Sequence, residues 1–171
     1  MDNSLTVKIL DISTLSEQVS VYRRAFEVEE PTEKIEEYWL NKHYKNPIHS
    51  SYVFGVYAEN TLVSINAYMP LEYMYKGKKI RVIESCESGT IPEYRGRGIW
   101  SMVLKYATAY FVNEGSYDFI MGFPNYRNSY GGFIKLQWSE VDKVQNYIMV
   151  NNGSTLAKCV SGERRNRFLT Y

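Results

Sequence analysis

Arg95-Gly96-Arg97-Gly98 is the stretch of this 171-residue chain best equipped for chemistry. Two glycines one residue apart let the backbone approach a ligand closely, and successive N–H groups there point into the same space. A helix starting after Gly98 would add its partial positive N-terminus. With charge from Arg95 and Arg97, the loop reads as a cradle for a phosphate or pyrophosphate. The competing reading is a strand-to-helix turn that needs its glycines only for packing. A Walker A loop requires Lys and Ser/Thr after its last glycine, whereas Gly98 is followed by Ile99-Trp100. A dinucleotide fingerprint requires a third small residue and an acidic residue closing the next strand. Here that strand closes on Gly122-Phe123-Pro124-Asn125. Cys86 has no histidine near it in sequence and reads as a small buried side chain. His43 and His49 read as ordinary loop residues. Only those two histidines, Cys86 and Cys159 could supply N/S ligands, from scattered positions, so no metal is expected.

The elements that must hold this loop follow from periodicity. A first strand is predicted over Leu5 to Ile12. Thr14-Leu15-Ser16-Glu17 has the form of a capping box, and Leu15, Val19, Tyr22 and Phe26 then recur at helical spacing. Pro31 interrupts. A second helix is predicted from Thr32 to near Asn46-Pro47, with Ile35, Tyr38 and Trp39 on one face. Tyr52 to Ala58, Leu62 to about Tyr75 and Lys79 to about Thr90 are separated by hairpin-length turns, which predicts an antiparallel meander. After the loop, Ile99, Met102, Val103, Tyr106 and Tyr110 form a helical stripe ending at Asn113-Glu114-Gly115. Tyr117 to Phe123 is nearly all apolar and predicts a strand inside a covered sheet. Strand, crossover helix and strand make a βαβ unit with its strands parallel. A short helix over about Ser129 to Leu136 and one or two strands within Trp138 to Val150 complete the pattern. The fold class is α/β (α+β): a mixed central sheet, an antiparallel meander followed by a βαβ unit, and helices on both faces. Residues 1–150 are expected to form one domain, and 151–171 a C-terminal tail or an extra strand.

Composition sets the outer limits. A hydrophobic share of 44% in 171 residues is globular and sufficient for a core without disulfide or metal staples. Twenty basic against nineteen acidic side chains leave a net charge of +1, which argues against nucleic acid as the partner. No apolar run approaches membrane-spanning length, and the N-terminus lacks the form of a signal peptide. A soluble cytoplasmic protein with reduced thiols is expected, as monomer or homodimer.

At Pro92-Glu93-Tyr94-Arg95-Gly96-Arg97-Gly98-Ile99 the sequence resembles the acyl-CoA pyrophosphate loop of the GNAT N-acetyltransferase superfamily, whose pattern is Gln/Arg-x-x-Gly-x-Gly/Ala. The order of elements is also similar. Gly122-Phe123-Pro124-Asn125 and Phe133-Ile134-Lys135-Leu136-Gln137-Trp138 resemble the family's strand-Asn and K-L-G-F segments. The resemblance covers nearly all of residues 5–150. Three departures stand out. Trp100 takes the last Gly/Ala position of the loop, Gln137 takes the glycine of K-L-G-F, and Phe133 stands where many members carry a tyrosine as general acid.

The resemblance implies acetyl-CoA as co-substrate, with acyl transfer to a primary amine of a small molecule or peptide by direct attack. It implies that Gly89, Thr90 and Ile91 offer backbone hydrogen bonds to the pantetheine arm. Arg95, Gly96, Arg97, Gly98, Ile99 and Trp100 would hold the phosphates, and Asn125 would hold the CoA arm or cap the next helix. Some members use a glutamate about where Glu84 stands, eleven residues before Arg95 (95 − 84 = 11), as general base. Glu87 is the second candidate, and direct attack by the amine with no dedicated base is the third reading. Glu87 falls on the opposite face of a regular strand, but a bulge would change that. Tyr130 or Tyr126 could replace the missing tyrosine as acid. Tyr22, Phe26, Tyr38, Tyr68 and Tyr73 either line an acceptor cleft or belong to the core, and an amino sugar is one acceptor suggested by analogy. Two alternatives accompany this reading. One is a non-catalytic acyl-CoA-binding sensor of the same fold, favoured by Phe133. The other is an aminoacyl-tRNA-dependent transferase, disfavoured by the neutral charge.

Overall fold

Short connections decide most of the sheet. In the computed structural model, which describes residues 5–144, β2 (Tyr52–Ala58) turns directly into β3 (Thr61–Tyr75), and β3 into β4 (Lys78–Thr90). Lys76 and Gly77 both take left-handed φ, 49° and 75°, as a type I′ hairpin turn requires. β1 (Leu5–Leu10) pairs antiparallel with β2. β5 (Phe119–Gly122) reaches β4 through the crossover helix α3 (Ile99–Glu114) and pairs with it in parallel. The order is β1-β2-β3-β4-β5, an α/β sheet in which the meander and the βαβ unit share β4.

Alternation along β3 assigns the two faces. Tyr68, with Phe54 of β2, meets Phe111 of α3, at ring distances of 5.1 and 5.8 Å. Ile65 points the other way, and its β4 partner Gly89 packs under α1 (Leu15–Phe26). A Cβ on Gly89 would come within 2.8 Å of the Ala25 Cβ and 2.9 Å of a Phe26 ring carbon. Close packing against the helix thus accounts for glycine here.

α1 is fastened to α2 (Thr32–Trp39) by one buried amide. The Gln18 side chain, fully buried, donates to the Asp11 carbonyl (2.8 Å) and the Tyr44 hydroxyl (2.7 Å), and its oxygen accepts from Trp39 Nε1 (2.8 Å). The expected capping box does not form. Thr14 donates its hydroxyl to the Asp11 carbonyl instead, and Glu17 accepts from the Tyr57 hydroxyl at 3.1 Å. α2 ends at Trp39, but the chain continues as a π-turn over Leu40–Tyr44, so the helical segment stops close to the expected place.

At the far edge one expectation fails and another is reached only in part by the described residues. β5 is shorter than Tyr117–Phe123 and is not covered throughout: Phe119 is 61% exposed, and Phe123, just past the strand, is 58% exposed, while Ile120 packs on the core. Among the described residues β5 is an edge strand. No strand begins at Trp138; residues 138–144 carry neither helix nor strand, and 145–150 lie outside the described residues. The chain divides into a compact unit ending at Trp138 and a second unit beginning at Ser139. Among the described residues no helix is long and apolar enough to cross a membrane.

Replacing Gln18 by methionine keeps the volume and removes the amide, so the buried Trp39 N–H loses its acceptor, while the Asp11 carbonyl keeps the Thr14 hydroxyl. The expected cost is about 2–4 kcal/mol, read as a lower urea midpoint with an unchanged slope.

Candidate active site

One extra residue in β4 sets the geometry. β3 pairs Ala67 with Cys86 and Asn66 with Ser88, so Glu87 has no partner and forms a bulge. Its φ is +33°, a left-handed value uncommon for a residue with a side chain. In a regular strand Glu87 would stand on the face opposite Glu84 and Cys86. The bulge brings it to their side, where it meets α2 and the π-turn.

There the Glu87 carboxylate is gripped from several directions. Oε1 accepts from the Tyr38 hydroxyl at 2.7 Å and from the Lys42 ammonium. Oε2 faces His43 Nε2 at 3.4 Å, a contact too loose to count as a hydrogen bond. His43 is fully buried, its Nδ1 is 3.0 Å from Ser51 Oγ, and its ring lies 4.4 Å from that of Trp39. Burial alone would raise the Glu87 pKa; His43 and the Lys42 charge outweigh it and hold the carboxyl well below the usual range. Glu84 shifts the other way. Burial raises its pKa, opposed by Lys42 and reinforced by Glu87. Burial and the neighbouring Glu87 also raise the Cys86 thiol, which is therefore no ready nucleophile.

β4 outruns β5. Their parallel register ends at Ser85↔Gly122, leaving Cys86 to Thr90 without a strand on that side among the described residues. A ligand chain can lie in this opening. Part of the backbone beyond the bulge is already committed. The Ile91 N–H donates to the Val63 carbonyl at 3.0 Å, Gly89 O accepts from Ser64 Oγ at 3.0 Å, and Thr90 O accepts from Arg95 Nε at 3.1 Å.

The glycine loop follows a short 3-10 turn, Pro92–Tyr94. Gly96 and Gly98 take φ of +76° and +74°, and a Cβ on either would meet nothing within 4 Å. Backbone conformation, not crowding, demands glycine there. Gly98 stands at the start of α3 and supplies no side-chain cap to the first-turn N–H groups of this 16-residue helix. A recess of about 140 Å³ is lined by Thr90, Tyr94, Arg95, Gly96, Gly98, Ile99, Trp100 and Ser101. The arginines serve the loop itself. Arg95 also donates to the Ala25 carbonyl at the end of α1 (2.8 Å), while Arg97 donates to the Glu93 carbonyl (3.1 Å) and lies over the Tyr94 ring. Of the residues expected at the cofactor, Ile99 and Ile91 have side chains in the core, each at 2% exposure.

Trp100 covers the start of α3. Its ring stands edge-on to Phe133, 5.3 Å away, and fills the space beside Gly132 of α4 (Tyr130–Lys135), where a Cβ would meet Trp100 at 2.5 Å. Phe133 is core, 8% exposed and packed on Trp138. Gln137 adopts φ of +64°, the conformation that the glycine it replaces would take without strain. Asn125 is a turn residue: its side chain accepts from the Arg127 N–H at 2.9 Å, and its carbonyl accepts from Ser129 and Tyr130 N–H. Tyr130 opens α4, its ring 5.2 Å from Tyr126. Of the aromatic residues expected at an acceptor cleft, Tyr22 and Tyr68 are buried core, while Phe26 and Tyr73 are exposed. Tyr38 alone touches the carboxylate cluster. Sequence reasoning missed Lys42 and His43, because neither becomes a neighbour of Glu87 until α2 and the bulged strand pack together. A groove of about 590 Å³ between α1 and α2, lined by Ser20, Arg23, Thr32 and Glu36 among others, includes none of the expected site residues.

A carboxyl whose pKa is lower folded than unfolded contributes stability above its unfolded pKa and loses it as pH falls. The stability gap between wild type and Glu87→Gln is therefore expected to stay flat from about pH 8 to about pH 6. It should narrow steadily below the ordinary glutamate pKa of about 4.3, as followed by urea unfolding at each pH.

The acetyltransferase (GNAT) domain family matches residues 6–133. No curated protein matches the chain. Solved structures share the fold at low identity. A predicted acetyltransferase with acetyl-CoA from Clostridium acetobutylicum superposes with a TM-score of 0.67 at 16% identity, over 88% of this chain and 99% of that one. The ribosomal-protein-alanine N-acetyltransferase from Brucella melitensis biovar Abortus 2308 gives 0.62 at 15% identity, over 87% and 100%. An aminoglycoside N-acetyltransferase in complex with CoA gives 0.62 at 13%, over 85% and 95%. With three quarters of its length inside the family match, this chain belongs to the GNAT acetyltransferase family.

Proposed function

We propose that the protein transfers an acetyl group from acetyl-CoA to a primary amine of a small molecule or peptide, without a covalent enzyme intermediate. The observation that carries this reading is the continuity of the uncapped α3 N-terminus and its Gly96/Gly98 loop with the unpaired edge of β4. The loop receives a pyrophosphate on backbone N–H groups. The opening between β4 and β5 receives the pantetheine arm, with Gly89 to Ile91 as its wall and Asn125 at the turn beyond β5. The thioester then lies beside the bulge, where backbone groups left out of the β3 ladder can polarise its carbonyl.

The two glutamates divide the work. An amine attacks only after losing a proton. Glu87, paired with Lys42 and held at a low pKa, is a weak proton acceptor and acts as a fixed negative charge. Glu84, with its pKa raised by burial, is the better base and takes the proton directly or through water. The amine nitrogen forms its bond to the thioester carbon, the C–S bond breaks, and the thiolate leaves with a proton from Tyr130 or water. Phe133 has no proton to give and is walled into the core. That residue supports a second reading, a protein that holds acyl-CoA without turnover. Acceptors with an added cationic group suit the Glu87 side of the cleft, and an aminoglycoside or other amino sugar is one such class.

Acetyl-CoA at about 100 times its dissociation constant should stabilise the fold by about 2.7 kcal/mol, a rise of about 5–10 °C in melting temperature. ATP and NAD should give no comparable rise. Thiol release with a panel of amines then separates transfer from mere holding. Glu84→Gln should lower kcat by about 100-fold or more with the acetyl-CoA-induced shift retained. A shift without turnover on any amine would favour the holding protein, and no shift would overturn the reading of the loop.

A further inference from the structure

The sequence offers no clustered metal ligands, but the fold gathers three. A ring nitrogen of His43, Cys86 Sγ and a Glu87 carboxylate oxygen all lie within 4.8 Å of one another, and Nε2 is the His43 nitrogen that faces Glu87. His43 comes from the π-turn after α2, and Cys86 and Glu87 are neighbours across the bulge, which puts both on the same face. Two of the three ligand atoms lack any hydrogen bond. His43 Nε2 and Glu87 Oε2 are buried, face each other and are each unsatisfied. In the tautomer whose Nδ1–H donates to Ser51 Oγ, Nε2 and Oε2 turn lone pairs to the same space, which a cation can satisfy.

We infer that His43, Cys86 and Glu87 form a binding site for a divalent zinc-class ion. Nitrogen, thiolate and carboxylate ligands in one set select Zn²⁺ among the common ions, and three protein ligands leave its fourth position open. The spacing suits a tetrahedral ion. Two ligands about 2.0–2.1 Å from the metal stand about 3.4 Å apart, and His43 Nε2 and Glu87 Oε2 are 3.4 Å apart. The thiolate needs about 3.6 Å to each, which a small movement of the Cys86 side chain provides.

The outer contacts are in place as well. His43 Nδ1 rests 3.0 Å from Ser51 Oγ, which leaves Nε2 as the ligand atom. Glu87 Oε1 is occupied by Tyr38 and Lys42, which turns Oε2 towards His43. Among the described residues, Lys42 is the cation that pairs with Glu87 and opposes the ion. Its side chain is 28% exposed and can withdraw towards solvent. Binding converts the Cys86 thiol to thiolate and releases its proton, so affinity rises with pH. An ion here would sit on the same face as Glu84 and tie the cleft to the zinc supply.

The test uses the full chain, stripped with a chelator and titrated with Zn²⁺ against a chromophoric competitor, then with Co²⁺ as a spectroscopic probe. One Zn²⁺ per chain is expected, together with a near-ultraviolet thiolate-to-cobalt band. Cys86→Ser should abolish the band and weaken Zn²⁺ by more than about tenfold, the least that loss of even an outer-shell partner costs. His43→Gln should weaken it similarly. Cys159→Ser, at the other cysteine of the chain, should keep both band and affinity. Thermal melts check that each variant folds, and Cys86→Ser decides alone if His43→Gln does not. No stoichiometric binding, unchanged affinity in Cys86→Ser, or a band lost with Cys159 instead would overturn the site. None of these readouts depends on acetyl transfer.

Discussion

The bulge at Glu87 is the constraint on which the site depends. A β-strand alternates its side chains, and one inserted residue reverses that alternation downstream. Upstream of it, Ser85 shares the α3 face with Tyr68 and Asn66; downstream, Gly89 falls under α1. The same insertion turns the carboxylate towards Tyr38, Lys42 and His43. A left-handed φ at a glutamate costs energy, of order 1–3 kcal/mol. The ion pair and hydrogen bonds that Glu87 gains on this face offset that strain. Stability and site geometry are thus the same set of contacts.

The donor end works on a different principle. In the proposed function its binding groups are backbone N–H groups oriented by Gly96, Gly98 and the first turn of α3. The arginines of the loop bind protein carbonyls: Arg95 those of Thr90 and Ala25, Arg97 that of Glu93. Arg95 thereby joins the loop to the end of α1, the helix that Gln18 fastens to α2. A chain of hydrogen bonds and packing thus links the loop to the helices that carry the carboxylate cluster.

What could be read from the chain followed the range of the interactions involved. The sheet, its order and the crossover helix rest on local signals, such as the Lys76-Gly77 turn and the stripe from Ile99 to Tyr110. The glycine loop was legible because positive φ at a strand-to-helix junction leaves few other residues possible. The capping box failed because Thr14 and Glu17 found tertiary partners in Asp11 and Tyr57, which no local pattern announces. Tyr117–Phe123 looked like an interior strand because apolar content alone cannot distinguish a covered strand from an exposed edge. The cluster around Glu87 was the least legible. The possibility of a bulge could be stated but not located, and Lys42 and His43 lie more than forty residues away in sequence.

Trp100 and Gly132 share one volume. The indole at the head of α3 occupies the space that any side chain on Gly132 would need, and Phe133 and Trp138 close the packing around it. Seen over evolutionary time, these two positions form a single character. A lineage with a small residue at the start of this helix leaves a void that a larger residue at position 132 can fill. A lineage that acquires the tryptophan must hold glycine opposite. Paired variation at positions 100 and 132, against an unchanged glycine loop, is the pattern that this shared volume would leave among relatives.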